Sequence, residues 1–228
     1  MLPIKDENPS FRRPWVNYTI IAINILIFFH ELSLGRAVNR FIFSYGVIPV
    51  EIIHGQRLYT IFTSMFLHGG WMHIFGNMLY LWIFGDNVED SIGHFRYLVF
   101  YLLSGVFAAL AQVFINPLSR IPLIGASGAI SGVLGAYFVL YPRARVLTLI
   151  PDPFTFGIFW RFIKLPAYIL LGFWFIIQFL YGLMSLPYSG RTGGVAFFAH
   201  IGGFVFGLIA IKFFKPRKFY HYWYWNRF

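Results

Sequence analysis

One serine and one histidine in the apolar second half of this chain have the side chains needed to hydrolyse an acyl bond. Ser127 lies in the stretch IGASGAISG, at the start of a long apolar segment, and His200 is the one histidine deep inside a later segment. A serine hydroxyl is a weak nucleophile near neutral pH and needs an adjacent base. The sequence therefore predicts His200 as the base for Ser127.

Two further polar side chains could stabilise the charge that acyl transfer creates. His73 and Asn77 are four residues apart in HGGWMHIFGN, so on a helix they share one face. The tetrahedral intermediate carries an oxyanion, which needs preorganised hydrogen-bond donors. Both side chains can donate, and so can the backbone N–H of Ser127, where a helix that starts there adds the positive end of its dipole.

A third, acidic member of such a site is missing from the sequence. The eight aspartates and glutamates fall in the termini, the loops and the ends of apolar segments. A Ser–His dyad therefore fits better than a Ser–His–Asp triad. The chain has no cysteine, which excludes a thiolate metal site, and dyad chemistry calls for no metal and no organic cofactor.

The composition indicates that lipid is part of the solvent. Of the 228 residues, 58% are hydrophobic and 11% are charged, whereas soluble domains carry about 25% charged residues. A domain of this size cannot hide so much apolar surface from water. The net charge of +10 comes from basic residues that flank the apolar segments, which favours lipid headgroups as partners over nucleic acid.

We expect an all-α polytopic membrane protein, with one domain over residues 1–228. The apolar segments predict six transmembrane helices, at about residues 15–33, 69–86, 96–115, 121–141, 165–185 and 194–214. The long connection at about residues 31–68 is semi-apolar, so we expect a structured loop with short amphipathic helices in the outer interface. Most lysines and arginines then fall on the side of the N-terminus, which predicts cytoplasmic termini and a site that opens outward.

Small residues line two of these segments at a spacing that allows close helix packing. The fourth segment holds Gly128-x-x-x-Gly132, and the sixth holds Ala199-x-x-x-Gly203-x-x-x-Gly207. Small-x-x-x-small faces let two backbones approach closely in lipid. Since Ala199 and Gly203 flank the candidate base, this seam predicts how serine and histidine meet.

Four motifs together resemble the rhomboid family of intramembrane serine proteases. They are the GASG sequence at 125–128, the AHxGG sequence at 199–203, the HxxxxHxxxN sequence at 68–77 and the GxxxExxxG sequence at 85–93. The resemblance covers nearly the whole chain and implies the six-helix rhomboid core, with a water-filled cavity. It also implies a gate formed by the fifth helix and the loop at about 187–194.

The resemblance implies a role for each matching residue. Ser127 is the nucleophile, His200 is the general base, and His73 and Asn77 donate to the oxyanion together with the Ser127 amide. Glu89 is a structural anchor at the cytoplasmic end of the second helix. For His68, at the membrane edge, we favour a hydrogen bond that orders the loop.

Two positions depart from the family pattern. Gln56 precedes Arg57 where the first outer loop commonly carries a Trp–Arg pair. Ser131 stands four residues after the nucleophile, where many members have a tyrosine that stacks on the base. The sequence leaves open which group orients His200 instead.

The sequence therefore favours a serine endopeptidase that cleaves membrane proteins in or near their transmembrane segments, in a prokaryotic plasma membrane. Its partners are transmembrane substrates and the bilayer, and its oligomeric state is open. Two alternatives remain. One is a catalytically silent rhomboid-like protein that binds membrane clients, which usually lacks the Ser–His pair. The other is a transporter with a broken fourth helix, whose polar residues line a permeation path.

Overall fold

Nine α-helices and three strands make up the described part of the chain, which is residues 1–152, 159–188 and 194–214 of a computed structural model. The helices are α1 Trp15–Ser33, α2 Val38–Tyr45, α3 Pro49–Ile53, α4 Thr60–Thr63, α5 Trp71–Ile92, α6 His94–Ile115, α7 Ser127–Leu140, α8 Ala167–Ser185 and α9 Phe197–Ala210. The strands are β1 Leu2–Asp6, β2 Arg145–Pro151 and β3 Trp160–Pro166. Most of the loop expected to form part of the gate, residues 189–193, lies outside the described residues.

Four of the described helices are long and apolar enough to cross a membrane. They are α1, α6, α8 and α9, the last counted together with the short 3-10 turn that follows it to Phe214. The other two predicted spans, α5 and α7, are not among these four. The helix α5 carries three acids in its last two turns, and α7 has only 14 residues.

The expected all-α class is wrong in one respect, because the chain also forms a three-stranded antiparallel sheet. The strand order is β1-β2-β3, so the N-terminal strand pairs with the segment between α7 and α8. In β2, Val146 and Thr148 are fully buried while their neighbours are more exposed, which is the alternation of a half-buried strand. The pairing joins segments about 140 residues apart, so no local pattern indicated it.

The fourth helix begins later than the sequence predicted, at Ser127 instead of residue 121. Gly125 interrupts the chain before it with a φ of +121°, a conformation that favours glycine. Its N–H donates to the carbonyl of Ser64 at 2.9 Å, which fixes the entry to the helix. Ser127 is therefore the first residue of α7.

The helix α7 lies at the centre of the bundle. Every residue from Gly128 to Tyr137 is buried, against α5, α6 and α9. The contact with α9 is the closest, since a Cβ on Gly203 would collide with the carbonyl oxygen of Gly128, and one on Gly207 with that of Gly132. The small-residue faces are therefore the surfaces along which these two helices touch.

The connection between α1 and α5 folds into the helices α2, α3 and α4. Arg57 fastens it, because its guanidinium donates to Glu51 at 2.7 Å and to the backbone carbonyls of Phe43 and Ser44. Val47 exchanges backbone hydrogen bonds with Leu123, at 3.0 and 2.7 Å. These bonds attach the connection to the segment that leads into α7.

Candidate active site

Ser127 and His200 meet where the first turns of α7 and α9 lie side by side, at one end of the seam between these two helices. The two residues are 73 positions apart in the chain, yet His200 Nε2 lies 2.8 Å from Ser127 Oγ. The seam allows this because Gly128, next to the serine, faces the Ala199 backbone and side chain beside the histidine. The pair has the geometry in which an imidazole can accept the proton of a serine hydroxyl.

The position of Ser127 in the first turn of α7 leaves its backbone N–H free of a partner within the helix. The first N–H groups of an α-helix have no partner within the helix, and the helix dipole places positive potential there. The backbone N–H of Ser127 belongs to this turn, since the first helical hydrogen bond of α7 runs from Ile130 to the carbonyl of Ala126. A developing oxyanion beside Ser127 would therefore meet a donor that is already oriented.

The Nε2 atom of His73 faces the space beside Ser127 Oγ. Its Nδ1 accepts the N–H of Gly69 at 3.3 Å, so a neutral ring carries its proton on Nε2. A Cβ placed on Gly125 would lie 2.6 Å from this Nε2 and 3.6 Å from Ser127 Oγ. The His73 donor and the serine oxygen therefore border one small space, which the absence of a side chain at Gly125 keeps open.

Asn77 lies one turn after His73 on α5, and its side-chain amide contacts the ring of His68. The Asn77 amide nitrogen lies 2.9 Å from His68 Nε2, which leaves its second hydrogen for the cavity. The backbone N–H of His68 lies 3.2 Å from both carboxylate oxygens of the buried Glu31, at the end of α1. His68 thus joins α1 to α5 and fixes the amide of Asn77.

These side chains line one cavity of about 770 Å³. Ser127, His200, His73 and Asn77 all face it, together with Trp174 of α8. A space of this size accommodates several residues of an extended peptide as well as water. The arrangement can therefore hold an acyl substrate between a nucleophile, a base and two donors.

Sequence reasoning missed the groups that contact the far side of the base. His200 Nδ1 donates to Gln178 Oε1 at 2.7 Å, and the Trp174 ring lies 6.0 Å from the imidazole, tilted by 36°. The hydroxyl of Ser131 donates its proton to the carbonyl of Ser127 at 2.6 Å, so this proton is not available to orient His200. The signal for Gln178 was present, as it is the one amide side chain within the apolar α8, and polar groups in such helices are usually functional.

Glu89 lies away from the cavity, at the far end of α5. Its carboxylate accepts the N–H groups of Val16 and Asn17 at 3.0 and 2.7 Å, in the first turn of α1, and also contacts the ring of His94. A negative charge is favourable at a helix N-terminus. These bonds join the end of α5 to the start of α1, and the anchoring role of Glu89 stays a prediction.

Comparisons with known proteins point to one family. The chain matches the rhomboid domain over residues 55–217. It is 32% identical to rhomboid protease GluP of Bacillus subtilis over 88% of this chain and 36% of that protein. It is 26% identical to the mitochondrial rhomboid protein 1 of Saccharomyces cerevisiae, over 84% of this chain and 51% of that protein. It is also 27% identical to rhomboid protease AarA of Providencia stuartii, over 86% and 71%. The chain thus spans about a third of the first relative and half of the second.

Proposed function

The chain belongs to the rhomboid family, and on this premise we propose that it is an intramembrane serine protease with a Ser127–His200 dyad. It hydrolyses peptide bonds in or near the transmembrane segments of membrane proteins. The observation that carries the proposal is the 2.8 Å contact between Ser127 Oγ and His200 Nε2, inside a cavity between apolar helices. Two of the three relatives described above are named proteases, which supports the same activity.

The reaction begins with Ser127. His200 Nε2 accepts the hydroxyl proton while Oγ attacks the carbonyl carbon of the scissile peptide bond. The carbonyl oxygen becomes an oxyanion and accepts hydrogen bonds from His73 Nε2–H, the Asn77 amide and the Ser127 N–H. His200 then gives its proton to the leaving amine, and the carbon–nitrogen bond breaks to leave an acyl-enzyme.

Water completes the cycle. A cavity water attacks the acyl carbon as His200 takes up one of its protons, and a second tetrahedral intermediate forms in the same oxyanion site. Its collapse returns the proton to Ser127 Oγ and releases the new carboxyl terminus. Every proton transfer in both halves passes through one nitrogen, His200 Nε2.

The protein is an integral membrane protein, and we place six spans in the bilayer with both termini in the cytoplasm. The 14 residues of α7 cover about 21 Å, less than the roughly 30 Å hydrocarbon core. If α7 reaches the cytoplasmic interface, Ser127 lies below the outer surface, in a cavity that opens outward. A plasma membrane of a prokaryote remains our placement, while the relatives also include mitochondrial proteins.

The test is cleavage of a transmembrane substrate by purified protein in detergent or vesicles. We expect the wild type to release a fragment and Ser127→Ala to release none, because the substitution removes the nucleophile. Ser131→Ala is the matched control: it removes a serine hydroxyl one turn along the same helix and should keep cleavage. Equal cleavage by wild type and Ser127→Ala would contradict the proposal.

Fluorophosphonate labelling separates the protease from both alternatives. A client-binding protein or a transporter has no activated serine, whereas the protease reacts at Ser127 with the help of His200. We therefore expect labelling of the wild type and loss of labelling in Ser127→Ala and in His200→Ala. Binding or transport that persists in an unlabelled wild type would favour an alternative.

A further inference from the structure

The helix α8 contributes two side chains that contact the candidate base, and neither is assigned a role above. Gln178 Oε1 lies 2.7 Å from His200 Nδ1. Trp174, one turn earlier, lies on the same face of α8 and has its ring 6.0 Å from the imidazole. We propose that Gln178 is a positioning residue, which fixes the tautomer and orientation of His200 for attack by Ser127.

A neutral imidazole has a single N–H proton, which can be on either of its two ring nitrogens. One ring nitrogen carries the hydrogen and the other is an acceptor. When Nδ1 donates to Gln178 Oε1, Nε2 keeps its lone pair, and this nitrogen is the one 2.8 Å from Ser127 Oγ. The opposite tautomer would present an N–H to the serine oxygen and leave the hydroxyl proton without a base.

Gln178 therefore fills the position that a carboxylate holds in a Ser–His–Asp triad, on the far side of the imidazole from the nucleophile. It does so as a neutral group. A carboxylate at this depth would have to be taken out of water, which is costly between apolar helices. An amide orients the ring through its carbonyl oxygen and avoids that cost.

Ser131, one turn after the proposed nucleophile on α7, does not supply this support to the ring. The hydroxyl of Ser131 is committed to the carbonyl of Ser127 at 2.6 Å. The helix α8 is instead held against α9 by aromatic contacts, since Phe175 stacks on Phe204 at 4.8 Å and Trp174 lies 5.9 Å from the same ring. The position of α8 against α9 therefore decides whether His200 has its partner.

The inference rests on the proposed protease activity, and one arm of its test does not depend on it. Protein with 15N-labelled histidine is prepared as wild type and as Gln178→Met, which keeps the length of the side chain and removes the acceptor. The ring signals of His200 are identified from their absence in His200→Ala. We expect the wild type to show the tautomer protonated at Nδ1, and Gln178→Met to move toward a mixture.

The second arm is kinetic. Gln178→Met should lower kcat for cleavage by about three- to tenfold, the value of one neutral hydrogen bond, with little change in KM. Gln178→Glu keeps a carbonyl oxygen that can accept from Nδ1–H when the buried acid is protonated and neutral, so it should recover most of the kcat lost in the methionine variant. Ile176→Leu, an exposed change on the same helix, is the control and should match the wild type.

The outcomes distinguish the two hypotheses. Unchanged 15N signals for His200 in Gln178→Met overturn the positioning role, whatever the activity. A wild type that neither cleaves nor labels overturns the protease instead, while the tautomer measurement still stands. A purely structural role would lower the unfolding temperature of Gln178→Met and would lower kcat in Gln178→Glu as much as in Gln178→Met. These two results together would overturn the proposal.

Discussion

The hydrogen-bond partners of Ser127 and His200 are uncharged. The histidine bonds to the serine on one side and to the amide of Gln178 on the other. The proposed oxyanion donors, His73 and Asn77, are likewise bonded to groups other than Asp, Glu, Lys or Arg side chains, namely the N–H of Gly69 and the ring of His68. Since isolated charges are expensive between apolar helices, orientation by dipoles suits this environment better than an ion pair.

Asn77 offers a prediction at the scale of one side chain. Asn77→Ala removes an amide that faces the cavity and should lower kcat by about tenfold or more, because one oxyanion donor is worth a few kcal/mol. Asn39→Ala, an exposed change outside the cavity, is the control. Steady-state cleavage kinetics are the measurement. An unchanged kcat would mean that Asn77 serves only to bind His68.

At the scale of elements, the close approach of α7 and α9 carries the site. The helix α7 carries the proposed nucleophile and α9 carries the proposed base, so the distance between the two helix axes sets the distance between Oγ and Nε2. That distance depends on glycines whose carbonyls and α-carbons touch across the seam. The seam is therefore part of the packed core of the bundle, and it also sets the geometry of the proposed dyad.

Gly207→Ala tests this coupling between packing and activity. The added methyl would collide with the carbonyl oxygen of Gly132, and this backbone atom cannot rotate away. Overpacking of this kind typically costs about 1–3 kcal/mol, so we expect a lower apparent Tm in detergent and at least a tenfold loss of cleavage.

Gly172→Ala is the matched control for the seam. It makes the same change on α8, where the new methyl would find only an ordinary contact with Phe138 at 3.8 Å. Its Tm and cleavage rate should stay close to those of the wild type. Equal losses in Gly172→Ala and Gly207→Ala would show that the effect comes from helix glycines in general and not from the seam.

At the scale of the whole molecule, the sheet ties the N-terminal segment to the connection between α7 and α8. The N-terminal strand β1 pairs with β2, which follows α7, and β3 leads directly into α8. Asp6 of β1 also accepts a hydrogen bond from Tyr137, in α7, at 2.7 Å. The N-terminal segment is therefore attached to the helix that carries the proposed nucleophile.

This attachment predicts a dependence of stability on pH. Burial raises the pKa of Asp6 to about 7, with the nearby Asp86 adding to it and the bond from Tyr137 opposing it. The folded protein therefore holds this proton more tightly than the unfolded chain. The contribution to stability is complete below pH of about 4 and is lost as the pH rises through about 7.

Asp6→Asn removes the titrating group and keeps an oxygen that can accept from Tyr137. The difference in apparent Tm between the variant and the wild type should therefore grow in favour of the variant from pH 5 to pH 8. A shift of about three pKa units corresponds to at most about 4 kcal/mol. Thermal unfolding in detergent at several pH values is the measurement, and a difference that stays constant with pH would contradict the prediction.

The sequence by itself determined the membrane class and the family, and it predicted Ser127, His200, His73 and Asn77 as residues of the candidate site. Apolar length identifies segments that cross a bilayer, and a few polar groups stand out in them because each is costly there. The small residues beside Ser127 and His200 also indicated which two helices touch. These features are local or periodic, so they can be read without a structure.

Only the tertiary structure decided what holds the base and how the chain outside the bundle is arranged. Apart from Gln178 the long side chains of α8 are mostly apolar, so its sequence marks this glutamine but does not show which residue of another helix it meets. The pairing of β1 with β2 joins segments about 140 residues apart. Both features result from packing between distant parts of the chain, which the order of residues within one segment does not encode.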